Sequence, residues 1–287
     1  MSLVVFRSRA RLAAALLVCA SAAPATAQQI GRVMGPYKTA DWAALAQLPD
    51  FNGVWEVGTV SPGPPGTLAA RPAGTPAGGA APGAPPAAAG AAPRRPPAPQ
   101  PQLTAPYAAQ LAAYRAAQAR GDIQDDETAN CVPPGTPGIM TQPYPIEFML
   151  TPGKVTIVIE AYTQVRHIYT DGRTAPADPD LTWHGYSTGK WDNGVLVVDS
   201  VGFSPDTTLA AGVRHSDKMH VVERMRLAAP DVLEIQTTVT DPEALTAPFV
   251  TTRTYLRHRD WTTSEYICEQ NNRNSVTDGK AGISLKN

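Results

Sequence analysis

From Lys154 onward the chain alternates apolar and polar residues with period two, and no helix can satisfy that pattern on one face. The runs Val155–Ala161, Val165–Thr170, Thr182–Trp191, Val195–Val201, His220–Leu227, Val232–Thr240, Val250–Leu256 and Ser264–Glu269 are the strand candidates, with turn residues between them. Asn193-Gly194 supplies the two positive-φ positions of a type I′ hairpin, and Asp171-Gly172 and Asp241-Pro242 punctuate other turns. Phe51–Val57 adds an earlier strand. About nine antiparallel strands suit a closed barrel or a sandwich.

The rest of the chain brackets this meander. Asp41–Leu48 and Tyr107–Arg120 have helical spacing, and Gly121 ends the second as a C-cap. Between Ser61 and Ala105 the composition collapses to Pro, Ala and Gly, which cannot bury enough apolar surface to offset its ordering entropy. That segment is expected to be a disordered insertion, 61–105, between a first strand region, 28–60, and the main body, 106–287. The stretch from Cys131 to Pro145 is dense in proline and is expected to be an ordered loop.

Residues 1–27 read as a signal peptide. Arg7, Arg9 and Arg11 precede the apolar run Leu12–Ala20, and Ala25-Thr26-Ala27 is a cleavage motif. The run is too short to span a bilayer, so a periplasmic or secreted location without a membrane span is expected. An oxidising compartment and the pair Cys131 and Cys268 favour a disulfide over two reactive thiols. With 24 basic and 25 acidic residues overall, three of the arginines in the leader, the chain lacks the basic footprint of a nucleic-acid binder. Oligomeric state is not legible.

Gly53-Val54-Trp55 resembles the G-x-W opening of lipocalins, whose Trp plugs the closed end of the barrel. A broader resemblance runs from Phe51 to Asn272 apart from the insertion. It rests on Asn130-Cys131-Val132-Pro133-Pro134-Gly135, Pro143–Phe148, Arg166–Arg173, Gly189-Lys190-Trp191 with Leu196–Asp199, His220–Arg224 and Glu265–Asn272. These are similar to an uncharacterised family of secreted bacterial proteins, from which the chain departs at His167, where the family has Arg, and at Tyr186, where it has His. The resemblance implies a recurring secreted module with a lipocalin-like barrel and brings no activity with it.

Among the chemical motifs, Gly185-Tyr186-Ser187-Thr188-Gly189 has the spacing of a nucleophile elbow, but an Asn-Gly hairpin follows where that motif needs a helix. His220 and Glu223 lie three apart on a strand and so face opposite ways, a poor metal pair; no metal or cofactor is expected. Acid–base chemistry inside a barrel remains, because a desolvated carboxylate or imidazole suits proton transfer near neutral pH. Met219, Val221, Glu223 and Met225 share one face. Glu223 interrupts that apolar row and is the leading base, with Glu160 the alternative. His220 or His184 would partner it, and Arg166 or Arg224 with Tyr169 would hold an anion. Trp183, Tyr186, Tyr255 and Phe203 are candidate ligand-lining residues.

The sequence thus predicts an all-β, antiparallel lipocalin-like barrel with one or two short helices, stapled by Cys131–Cys268. Its expected function is a cofactor-independent lyase, isomerase or hydrolase acting on a small, partly apolar molecule. The alternative is a non-catalytic carrier of a hydrophobic ligand.

Overall fold

A computed structural model describes residues 36–58, 99–121, 124–125, 130–210, 212–271, 275–277 and 280–283. The chain divides into two compact units, Met1–Pro36 and Tyr37–Asn287, and all that follows concerns the second. The leader at 1–27 and the insertion from 61 to 98 lie outside the described residues.

Nine strands close into one barrel: β1 (Gly53–Val57), β2 (Ile146–Thr151), β3 (Lys154–Ile159), β4 (Gln164–Tyr169), β5 (Tyr186–Asp192), β6 (Val195–Val201), β7 (His220–Ala229), β8 (Val232–Thr240) and β9 (Phe249–His258). Each strand pairs with its successor, and β9 returns to β1 with Val54 opposite His258. A ring with an odd number of strands cannot reverse direction at every step. One neighbouring pair must therefore run parallel, and it is β4 with β5, where Ile168 faces Ser187 and Tyr169 faces Thr188. A parallel pair needs a long crossover, here the connection 170–185. The hairpin β5–β6 turns through Asn193 and Gly194, both at positive φ (48° and 80°) as expected of the Asn-Gly turn.

The strand pattern matched the sequence except at two runs. Ser264–Glu269 is not a strand: it runs as extended chain into a short helix, Cys268–Asn271, held by the Ser264 N–H on Glu160 and the Thr163 hydroxyl on the Tyr266 carbonyl. The ninth barrel strand is instead β2, whose alternation of Ile146, Phe148 and Leu150 into the core is masked in sequence by Pro143 and Pro145 just before it. The candidate strand at 182–191 begins only at Tyr186. Gly185 sits at φ 63°, where a Cβ would lie 2.6 Å from the Val201 carbonyl oxygen, so the chain kinks there. The C-terminal end of the 61–105 insertion is also ordered, with Leu103 bridging Leu245 and the Thr104 N–H donating to Ala244.

Two apolar clusters fill the barrel. One gathers Phe51, Trp55, Phe148, Ile157, Leu196, Val198, Met225 and Leu233. Trp55 is fully buried there, donates from Nε1 to the Phe51 carbonyl at 2.9 Å, and carries the Arg257 guanidinium 4.4 Å above its ring. Arg257 in turn pairs with Asp50 at 3.0 Å. The second cluster, around Phe203, Leu209, Val221, Val239 and Leu245, packs against Tyr107 and Leu111 of the helix Ala105–Ala119. Cys131 and Cys268 are joined, with Cα atoms 5.6 Å apart, and the chain-entropy account gives such a long loop about 4–5 kcal/mol.

Truncating Trp55 to Ala removes the ring that Arg257 stacks on and opens the first cluster. A loss of about 3–5 kcal/mol is expected, read as a lower urea midpoint with an unchanged m-value.

Candidate binding site in the barrel lumen

Between the two apolar clusters lies a polar layer. Arg166 on β4 and Glu223 on β7 both face inward at 1% exposure and form an ion pair across the lumen. Glu223 sits in the Met219, Val221, Met225 row because β7 alternates, and all three neighbours are buried. Arg166 also donates from Nη2 to Ser187 at 3.2 Å and Ser200 at 3.3 Å, while the two hydroxyls are 2.8 Å apart on paired strands. Ser187, the centre of the G-x-S-x-G spacing, is thus a buried partner of Arg166 inside β5. Gly189 of that motif serves close packing, since a Cβ there would lie 2.8 Å from Ile168 Cγ2 on the parallel neighbour.

Two further groups complete the layer. Tyr255 on β9 is buried and donates its hydroxyl to the Met140 carbonyl at 2.8 Å. Burial and then the Glu223 charge raise its phenol pKa, against the weaker pull of Arg253 and Arg166. His184, just before the Gly185 kink, places Nδ1 3.2 Å from the Thr136 hydroxyl. Burial, and after it the Arg166 charge, push its pKa down to about 4, so the imidazole is neutral at physiological pH. One nitrogen on each of two residues is left over: Arg166 Nη1 and His184 Nε2 are buried without a hydrogen-bond partner among the described residues.

Arg253 was not a sequence candidate, although it stands two residues before Tyr255 and shares its face. Its register partner Ile235 is a core residue, so Arg253 points to the lumen side, yet it is exposed. β1 pairs with β9 from Tyr255 to His258, and the Gly58 N–H extends the contact to the Thr254 carbonyl. Thr251 and Thr237 lie opposite one another, and Thr237 lies opposite Glu223, so polar side chains adjoin the Arg166–Glu223 pair across β7, β8 and β9.

The remaining candidates are elsewhere. Glu160 opens the 3-10 turn Ala161–Thr163 outside the barrel and binds the Ser264 N–H at 2.8 Å. His220 and Arg224 alternate with Glu223 and face outward; His220 meets Asp199 at 3.0 Å on the outer wall. Neither can partner Glu223. Tyr169 and Tyr186 are also on the outer wall, with ring centroids 5.4 Å apart and the Arg173 guanidinium 4.0 Å above Tyr169. Trp183 is 38% exposed, and Phe203 is wholly buried in the second cluster. Of the proposed site residues the fold therefore gathers Glu223, Arg166, His184 and Tyr255. A separate cleft of about 240 Å³ lies along Glu265–Cys268 and Gln270 beside the disulfide and holds none of the four.

No family model, curated protein or solved structure matches this chain. The chemistry of the lumen therefore carries the functional argument alone.

Two outcomes follow from this geometry. Arg166→Met leaves the Glu223 carboxylate buried and unpaired, which should cost about 3–5 kcal/mol, whereas Arg166→Met with Glu223→Leu should recover most of it; denaturant titration of both separates charge burial from packing. His184 and His215 have folded pKa values below the ordinary 6.5, so their stabilising contribution is complete above about pH 6.5. It is lost as the pH falls below that, for His184 toward about 4, because the unfolded chain takes up protons first. For His184 that amounts to about 3 kcal/mol, and His184→Gln should flatten the pH profile of the melting temperature in that window.

Proposed function

We propose that this protein is an exported small-molecule-binding barrel that holds its ligand in the polar layer around Arg166 and His184. The observation that supports this reading is the pair of orphaned nitrogens, Arg166 Nη1 and His184 Nε2. Buried polar atoms nearly always have partners, so two of them in the layer between the core clusters favour a guest with acceptor or donor atoms. The apolar clusters on either side would receive a partly apolar body.

Binding is favoured over acid–base catalysis by the state of Glu223. A general base needs a lone pair that can reach the substrate, and this carboxylate is 1% exposed with Oε2 turned to Arg166. One observation favours the enzymatic reading in a different form. His184 is neutral with Nε2 unpartnered, so it, rather than Glu223, would exchange the proton while Arg166 held the anion. A pKa near 4 makes it a weak base at neutral pH, which is why the carrier reading ranks first.

Native mass spectrometry on the purified protein after incubation with a mixed small-molecule library separates the two. A retained, chemically unchanged ligand is expected. A new product mass that disappears in His184→Gln would establish the enzyme instead, and no retained ligand and no product would remove both readings.

A further inference from the structure

We infer that the Cys131–Cys268 disulfide is a reducible latch on a plug at one end of the barrel, and that the group which opens it is a dithiol reductant. The plug is the segment Gly135–Thr141. Its 3-10 turn, Gly138–Thr141, buries Ile139 and Met140 at 1% and 3% exposure among the inward-facing residues of the first cluster. The Thr136 N–H donates to the Trp183 carbonyl, the Thr136 hydroxyl meets His184 at 3.2 Å, and the Met140 carbonyl accepts from Tyr255 at 2.8 Å. The plug thus braces the polar layer directly, whether or not that layer holds a ligand.

Both sides of the plug are tied to one corner of the barrel. After it, the Pro145 carbonyl accepts the Glu160 N–H where β3 gives way to β4. Before it, Cys131 is joined to Cys268. The chain that carries Cys268 hangs on the same corner: the Ser264 N–H donates to the Glu160 carboxylate at 2.8 Å, the Thr163 hydroxyl donates to the Tyr266 carbonyl at 2.7 Å, and the Tyr266 ring packs on Tyr144 and Tyr162.

Two observations mark the bond as one that opens. Both cysteines are half-buried, and the cleft of about 240 Å³ along Glu265–Cys268 and Gln270 gives a thiolate its approach to Cys268. Backbone strain is also gathered here. Among the described residues, Cys131, Tyr162 and Thr163 have φ of 58°, 59° and 48°, and the remaining non-glycine residue at positive φ is Asn193 of the hairpin turn. Strained backbone of this kind collects at clamps and switching segments. In the exchange, a dithiol's first thiolate attacks Cys268 Sγ, the disulfide breaks, and Cys131 leaves as a thiolate. The second thiolate displaces Cys268 from the mixed disulfide. Two electrons and two protons pass to the cysteines, and the reductant is left as a disulfide.

Dithiothreitol added to the purified protein without denaturant tests the latch, with thiols counted by alkylation and hydrogen exchange read amide by amide in both forms. Both cysteines should become alkylated in the folded protein at a rate proportional to dithiol concentration. The Thr136, Ile139 and Met140 amides should exchange faster by about tenfold or more, while those of Val221–Met225 and Leu233–Val239 keep their protection. Cys131→Ser combined with Cys268→Ser should reproduce the reduced pattern without reductant. Reduction that occurs only in denaturant, or plug amides that exchange alike in both forms, would overturn the inference. So would an equal rise through the barrel strands or a double variant that does not fold, since either makes the bond a staple of the whole fold.

Discussion

The Arg166–Glu223 pair is the constraint around which the interior is arranged. Two ionised groups at 1% exposure can be tolerated only where each finds its opposite and enough hydrogen bonds to replace water. Ser187 and Ser200 supply those bonds because β5 and β6 put them directly opposite one another, at the level Arg166 reaches. Four strands must therefore hold their registers together for the pair to be satisfied. A slip of one residue in any of them would turn a charge or a hydroxyl to the wrong face. The layer thus fixes register as well as dividing the core into two apolar clusters.

The odd strand number has a consequence for this layer. It forces the parallel seam between β4 and β5 and hence the long crossover 170–185, and that crossover delivers His184 beside Arg166. Its first turn is braced on the outer wall, where Arg173 pairs with Asp171 at 2.7 Å and lies over Tyr169. Its last turn is pinned where the Thr136 N–H donates to Trp183. Thr136 belongs to the loop that Cys131 ties to Cys268, and the same loop offers the Met140 carbonyl to Tyr255. The disulfide therefore reaches the lumen through two hydrogen bonds, one with His184 and one from Tyr255.

Period two made much of the barrel legible, because a strand's alternation is a local property. It placed Glu223 in the Met219–Met225 row on the buried face, and the structure agrees. It failed where local pattern competes with something distant. Ile146–Thr151 looked like loop because of two prolines, and its membership in the ring depends on pairing with β1 across nearly a hundred residues. Ser264–Glu269 alternates well but finds no ladder. Alternation continued through Gly185 would put His184 and Tyr186 on one face, but Gly185 lies at positive φ, and His184 meets Thr136 while Tyr186 packs on the outer wall. His220 was paired with Glu223 by proximity in sequence, which on a strand places them on opposite sides.

A buried ion pair is weak as a stabilising device. Replacing such a pair by well-packed apolar residues is often neutral or favourable by about 1–4 kcal/mol, and the neighbouring positions here are already Leu196, Val198, Met225 and Ile235. Stability alone would then be served as well by an uninterrupted apolar interior. What the polar layer does that leucines cannot is hold a guanidinium N–H without an acceptor beside a neutral imidazole nitrogen that is also unsatisfied. Sites that depart from the locally consistent choice are where function is expected to reside. In this barrel two such departures, Arg166 and His184, lie in the layer between two well-packed clusters.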